Sequence, residues 1–113
     1  MFKKRSFGVH LNFDDSALKA VVQNSKMDCF VGNNDAIQKI LRILPECPSL
    51  KLLVAMDTIP ANISCSIPLI PFETLLNNKE ILEPEFPDRS DIFTIKYTSG
   101  STGVPKVCVQ VYK

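Results

Sequence analysis

Near the C-terminal end of the sequence, four hydroxyl side chains and two glycines fall within six consecutive residues: Thr98, Ser99, Gly100, Ser101, Thr102 and Gly103. Pro105 and Lys106 follow shortly after. Hydroxyls donate hydrogen bonds to oxyanions. Glycines let the chain turn and bring its amides against a ligand with no side chain in the way. Successive amides in such a turn form a concavity that suits an anion. Pro105 fixes its own φ and stiffens the exit from the turn, and Lys106 adds a positive charge there. The combination is the chemistry of a polyphosphate grip. Thr98, Ser99, Gly100, Ser101, Thr102, Gly103 and Lys106 are therefore a binding set, and no residue is assigned a catalytic or metal-ligating role.

Two familiar phosphate motifs do not fit this stretch. A P-loop has Gly, four residues, then Gly-Lys-Ser/Thr, and counting on from Gly100 puts Pro105 at the second glycine and Val107 at the hydroxyl. The dinucleotide fingerprint Gly-x-Gly-x-x-Gly fails because Gly100 and Gly103 are three apart and an alternating run, Val107, Val109 and Val111, follows them in place of a helix.

Positions 97–106 read Tyr-Thr-Ser-Gly-Ser-Thr-Gly-Val-Pro-Lys. The stretch resembles the phosphate-binding signature of the adenylate-forming (AMP-binding) superfamily, the acyl-CoA synthetases, peptide-synthetase adenylation domains and luciferases, where it runs Tyr/Phe-Thr-Ser-Gly-Ser/Thr-Thr-Gly-x-Pro-Lys-Gly. Val107 stands where the family has its final glycine, a departure that bears on how close the exit strand comes to the ligand. Upstream, Pro48-Ser49-Leu50-Lys51-Leu52-Leu53-Val54-Ala55-Met56-Asp57 looks most like the long-chain acyl-CoA synthetase branch. The resemblance implies a two-step acid–thiol ligase: a carboxylate attacks the α-phosphate of ATP to give an acyl-adenylate and pyrophosphate, and a thiol then displaces AMP. It implies ATP and AMP as nucleotide ligands, a carboxylic (fatty) acid as substrate, CoA as co-substrate, and Mg2+ alongside ATP in the full-length enzymes. In that family the adenine- and ribose-recognising segments, the acyl pocket and the lid with its catalytic lysine lie downstream of the loop.

The expectation is accordingly a partial AMP-binding domain over 1–113 that ends just after the phosphate loop at 97–106, a piece of an ATP-dependent acyl-CoA synthetase of fatty acid metabolism that is inactive alone. Two other classes compete with it. One is a non-catalytic nucleotide-binding module, which would bind ATP without forming an adenylate. The other is a structural or interaction remnant whose loop binds nothing, a reading that Val107 favours.

Composition sets the remaining bounds. The 113 residues suit one small domain, and a hydrophobic fraction of 45% belongs with globular chains. Thirteen basic against twelve acidic residues leave a net charge of +1, so nothing in the balance points to nucleic acid or an anionic membrane surface. Lys3-Lys4-Arg5 reads as a solvated terminus, and no apolar stretch is long enough for a signal-peptide core or a membrane span. An intracellular, cytoplasmic chain is the default, with membrane association of a full-length form left open. Cys29, Cys47, Cys65 and Cys108 are widely separated and His10 is the only histidine, so the thiols are expected to be reduced and buried and not to hold a metal.

The elements that would carry the loop can be read from periodicity. Ser6 to Leu11 has weak strand character. Asp14 and Asp15 suit a cap and first turn for a helix over 14–24 with Leu18, Val21 and Val22 on one face. Cys29, Phe30 and Val31 make a strand over 28–31 that ends at Gly32. Asn33 or Asn34 caps a helix over 34–44, with Ile37, Ile40, Leu41 and Leu44 at i, i+3, i+4 and i+7 and Pro45 as its stop. Residues 51–56, apolar from Leu52 onward, predict a strand covered on both faces. Asp57 to Pro71 reads as an ordered loop packed by its isoleucines. A short helix over 71–77 follows, with Phe72, Leu75 and Leu76 sharing a face, and then an exposed acidic connector over 83–91. Strands over 91–97 and 106–112 flank the signature, the first apolar on both faces. This alternation predicts an α/β fold, a partial parallel or mixed sheet with flanking helices, as a piece of the larger N-terminal domain of an adenylate-forming enzyme.

Overall fold

The structure is a computed structural model that describes residues 6–9, 12–80, 83, 86–98 and 106–111. The chain divides into two units, residues 14–79 and the two terminal stretches 1–13 and 80–113 taken together. It is mixed α/β, as the alternation of periodicities predicts.

In the central unit the first helix, α1 (Asp15–Ser25), begins where the Asp14 carboxylate accepts from the Ala17 amide at 2.7 Å. It ends at Lys26, whose φ of 53° is left-handed and whose amide donates to the Val22 carbonyl at 3.1 Å. Leu18, Val21 and Val22 are buried on its inner face. The strand β2 (Cys29–Gly32) leads to Asn33, whose side chain caps α2 (Asn34–Ile43) by accepting from the Ala36 amide at 3.0 Å. Ile37 and Ile40 on α2 are fully buried, and each such side chain contributes about 1.5–3 kcal/mol by leaving water. The helix stops at Ile43, one residue short of the predicted end. Pro45 has no amide to extend the α pattern, and the chain tightens into a 3-10 turn over Leu44–Glu46. Asp15 and Arg42 join α1 to α2 by a two-point ion pair at 2.8 and 2.9 Å, and Gln23 donates to the Glu46 carbonyl at 2.8 Å.

The strand β3 (Leu52–Ala55) pairs in parallel with β2 from Cys29↔Leu52 to Gly32↔Ala55. A further strand, β4 (Leu69–Pro71), pairs in parallel with β3 from Leu53↔Leu69 to Ala55↔Pro71. The predicted loop over 57–71 thus ends in a strand of the sheet β2-β3-β4. Ile59, Ile63 and Ile67 are half-buried in what remains of that loop. The expected covering of 51–56 holds for its centre, where Leu53, Val54 and Ala55 are each at most 1% exposed, but not for its ends, since Lys51 and Met56 are exposed and lie outside the strand. Helix α2 packs on β2, β3 and α1. The last helix of the unit, α3 (Phe72–Leu76), follows β4 directly, and its shared apolar face is exposed, not packed: Phe72, Leu75 and Leu76 are 37%, 46% and 69% accessible.

The terminal unit is a second sheet in the order β1-β5-β6, built from β1 (Ser6–Gly8), β5 (Ile92–Thr98) and β6 (Lys106–Val111). The pair β1/β5 is parallel and β5/β6 is antiparallel. Side chains alternate along a strand, so the registers place Phe7, Ile95, Tyr97, Val107 and Val109 on one face and Ser6, Thr94, Lys96, Lys106 and Cys108 on the other. The expectation that residues 91–97 are apolar on both faces is corrected here, because Ile95 and Tyr97 are buried whereas Lys96 is exposed and Thr94 half-buried. The cysteine expectation also needs correcting. None of the four is in a disulfide, but only Cys47 is buried; Cys65 is intermediate, and Cys29 and Cys108 are exposed on their strands.

Candidate functional site

The pairing of β5 with β6 sets the site. Its register runs through Ile95↔Val109, Lys96↔Cys108 and Tyr97↔Val107 to Thr98↔Lys106. Thr98, the last residue of β5, and Lys106, the first of β6, are therefore cross-strand partners that close the root of the hairpin whose connection is 99–105. Antiparallel partners stand about 4.5–5.5 Å apart at their Cα or Cβ atoms. The backbones of Thr98 and Lys106 thus meet at one end of the β5–β6 ladder, although seven residues separate them along the chain. Ser99, Gly100, Ser101, Thr102 and Gly103 lie outside the described residues, as do Val104 and Pro105.

Lys106 is exposed. Lys96 is exposed as well and shares the Lys106 face by alternation. The sequence reading passed over Lys96 because its face is known only once the register is known. Two cations on one face raise the local positive potential at the hairpin end and favour the approach of an anion.

Val107 occupies the position where the signature has glycine. It sits in the ladder opposite Tyr97, and the register is regular from Ile95↔Val109 to Thr98↔Lys106, with the irregularity placed at the other end, between Ile92 and Thr94. The branched side chain is thus accommodated on the apolar face of a paired strand, a position that suits valine, and Lys106 stays at the loop root.

Among the described residues no group of three His, Cys, Asp or Glu side chains comes together to hold a metal, and no helix is long and apolar enough to cross a membrane.

Comparison with known proteins adds to this geometry. Residues 6–112 match the family described as AMP-binding enzyme. The peroxisomal acyl-CoA ligase 891 of Penicillium roqueforti (strain FM164) is 27% identical over 120 residues, a match that covers 89% of this chain and 17% of that protein. The peroxisomal long chain acyl-CoA synthetase 6 of Arabidopsis thaliana is 31% identical over 99 residues, covering 80% of this chain and 14% of that protein. Among solved structures, the anthranilate CoA ligase AuaEII in complex with anthranoyl-AMP superposes with a TM-score of 0.78 at 19% identity, over 95% of this chain and 20% of that one. That last likeness is one of fold. The chain spans 17% and 14% of the length of the two curated relatives.

Proposed function

Because the chain belongs to the AMP-binding enzyme family, we propose that residues 97–106 are its grip on the polyphosphate of ATP, in the service of acyl-adenylate formation by an acyl-CoA synthetase-type ligase. The observation that carries this reading is the pairing of Thr98 with Lys106, which closes the hydroxyl- and glycine-rich turn at its root and sets an exposed cation beside it.

In the proposed reaction a fatty acid carboxylate oxygen attacks the α-phosphorus of ATP. The P–O bond to the β-phosphate breaks, pyrophosphate leaves with the electron pair, and an acyl-adenylate forms. The thiolate of CoA then attacks the acyl carbonyl carbon and AMP leaves. The contribution of this chain falls in the first step. Amides and hydroxyls from Thr98 to Gly103 hold β- and γ-phosphate oxygens, and Lys106 offsets the negative charge that grows on the departing pyrophosphate. Mg2+ arrives with ATP as part of the substrate. The chain spans 17% and 14% of the two curated relatives, and the family resemblance puts the groups for the acid and the nucleoside downstream of the loop; on that reading this chain alone binds ATP without turning it over.

Calorimetric titration of ATP tests the reading. Wild type is expected to bind weakly. Gly100→Val abolishes binding by filling the space through which the backbone approaches phosphate. Lys106→Ala weakens it by about 1–3 kcal/mol, the range of a lost charge-assisted contact. Val107→Gly leaves the affinity close to wild type, because Val107 is already seated in the ladder. Binding seen only in Val107→Gly, or equal binding by wild type and Gly100→Val, would contradict the proposal.

A further inference from the structure

We propose that Phe7, at the opposite end of the sequence from the loop, is a positioning residue for it. The inference rests on the phosphate-binding reading of 97–106 and adds a residue that the reading does not contain. Phe7 is the central residue of β1, and β1 pairs with β5 in the register Ser6↔Thr94, Phe7↔Ile95, Gly8↔Lys96. The Thr94 hydroxyl donates to the Ser6 carbonyl at 3.2 Å and ties down the far end of that ladder. The paired residues stop at Lys96, short of the loop. The Phe7 ring reaches further: it stacks on Tyr97, with centroids 6.2 Å apart and planes 25° from parallel.

Tyr97 is 4% exposed, and its partner across the hairpin is Val107. The next pair out is Thr98 with Lys106. Phe7 therefore supports β5 at the step immediately before the loop root, where β1 no longer pairs with the backbone. On the other side β6 gives little reciprocal support, since it is the edge of its sheet and Lys106, Val107, Cys108 and Val109 are exposed. A loop that holds several phosphate oxygens at once needs its two ends fixed before the ligand arrives, because ordering them on binding costs affinity. The stack supplies that order from a segment remote in sequence.

The test combines hydrogen exchange, read by mass spectrometry without ligand, and ATP affinity at low protein concentration, on Phe7→Ala, Phe7→Leu and Phe7→Tyr, with Phe72→Ala as control. Phe7→Leu keeps apolar volume and the β1 backbone but removes the aromatic face. In both Phe7→Ala and Phe7→Leu, exchange in a peptide spanning 97–107 is expected to accelerate about two- to tenfold, the factor that an aromatic pair represents, with ATP affinity falling by a similar factor. Phe7→Tyr restores both, and Phe72→Ala alters neither. Unchanged exchange at 97–107 in Phe7→Leu overturns the proposal. So does protection lost evenly over β1, β5 and β6, which marks a structural residue and not a positioning one. Wild-type protein that binds no ATP overturns the phosphate reading instead, and the exchange data still decide whether Phe7 orders the ends of the loop.

Discussion

Gly32 terminates β2 one residue before the cap of α2, and its requirement for glycine is steric. A Cβ built there would lie 2.9 Å from the Ala36 Cβ and 2.9 Å from Cε1 of Phe30. The Phe30 ring is half-buried and can swing its edge away, whereas Ala36 is 5% exposed on the first turn of a helix packed on β2 and β3 and has no rotamer to change. Gly32→Ala should therefore cost about 1–3 kcal/mol, the usual toll of forcing extra volume into a packed site. Ala36→Gly alone should cost about 1 kcal/mol in helix propensity. The double variant removes the clash with Ala36. It should be no less stable than Gly32→Ala, giving a coupling of about 1 kcal/mol or more where simple addition predicts none. Urea denaturation followed by circular dichroism measures all four corners of the cycle. If the two losses add to within about 0.5 kcal/mol, the sites are independent and the steric account is wrong.

Further outcomes follow from the same structure. The Arg42 hydrogen bond and charge hold the Asp15 carboxyl below its ordinary value of 3.8. A depressed carboxylate stabilises the fold above its unfolded pKa and loses that contribution as pH falls through the folded one. Wild type should thus lose more stability than Arg42→Ala as pH is lowered through and below about 4, in paired denaturant titrations; parallel curves would remove the pair from the account. Burial, with the Glu46 charge second, pushes the Cys47 thiol up, while Cys29 and Cys108 are exposed, so alkylation mapped by mass spectrometry should label Cys29 and Cys108 well before Cys47. The edge strand β6 exposes Val107 at 46% and Val109 at 53%, with no proline between Lys106 and Val111 to blunt it. Sedimentation should show association that rises with concentration and falls in Val109→Lys, whereas a monomer at every concentration would contradict this.

The parts of the fold that were legible in the sequence are those whose signal is local. Helix α2 has a cap at Asn33 and a clean apolar spacing from Ile37 to Ile40, so its existence and start follow from one segment. The strands around the signature were equally plain, because two apolar runs flank an uninterrupted turn motif. What could not be read belongs to pairing. The strand β4 is Leu69–Pro71, preceded by Pro68, a stretch that no local pattern marks as sheet, and it is a strand because β3 lies alongside to accept it. Likewise, the exposure of Cys29 and Cys108 depends on which face of each sheet is covered, and no count of cysteines shows that. In the candidate site the residue types were legible, but the opposition of Thr98 to Lys106, the shared face of Lys96 and the stack of Phe7 on Tyr97 required the register. For Val107, the register gives a placement that the sequence alone could not: it pairs with Tyr97 on the apolar face.

The central claim is that ATP meets this chain at the β5–β6 hairpin. Differential hydrogen exchange of the wild-type chain with and without ATP tests it most directly. Slower exchange confined to peptides within 97–111, with α2 and β3 unchanged, is the predicted result; equal exchange at 97–111 under saturating ATP, or protection centred on residues 29–55, would contradict it.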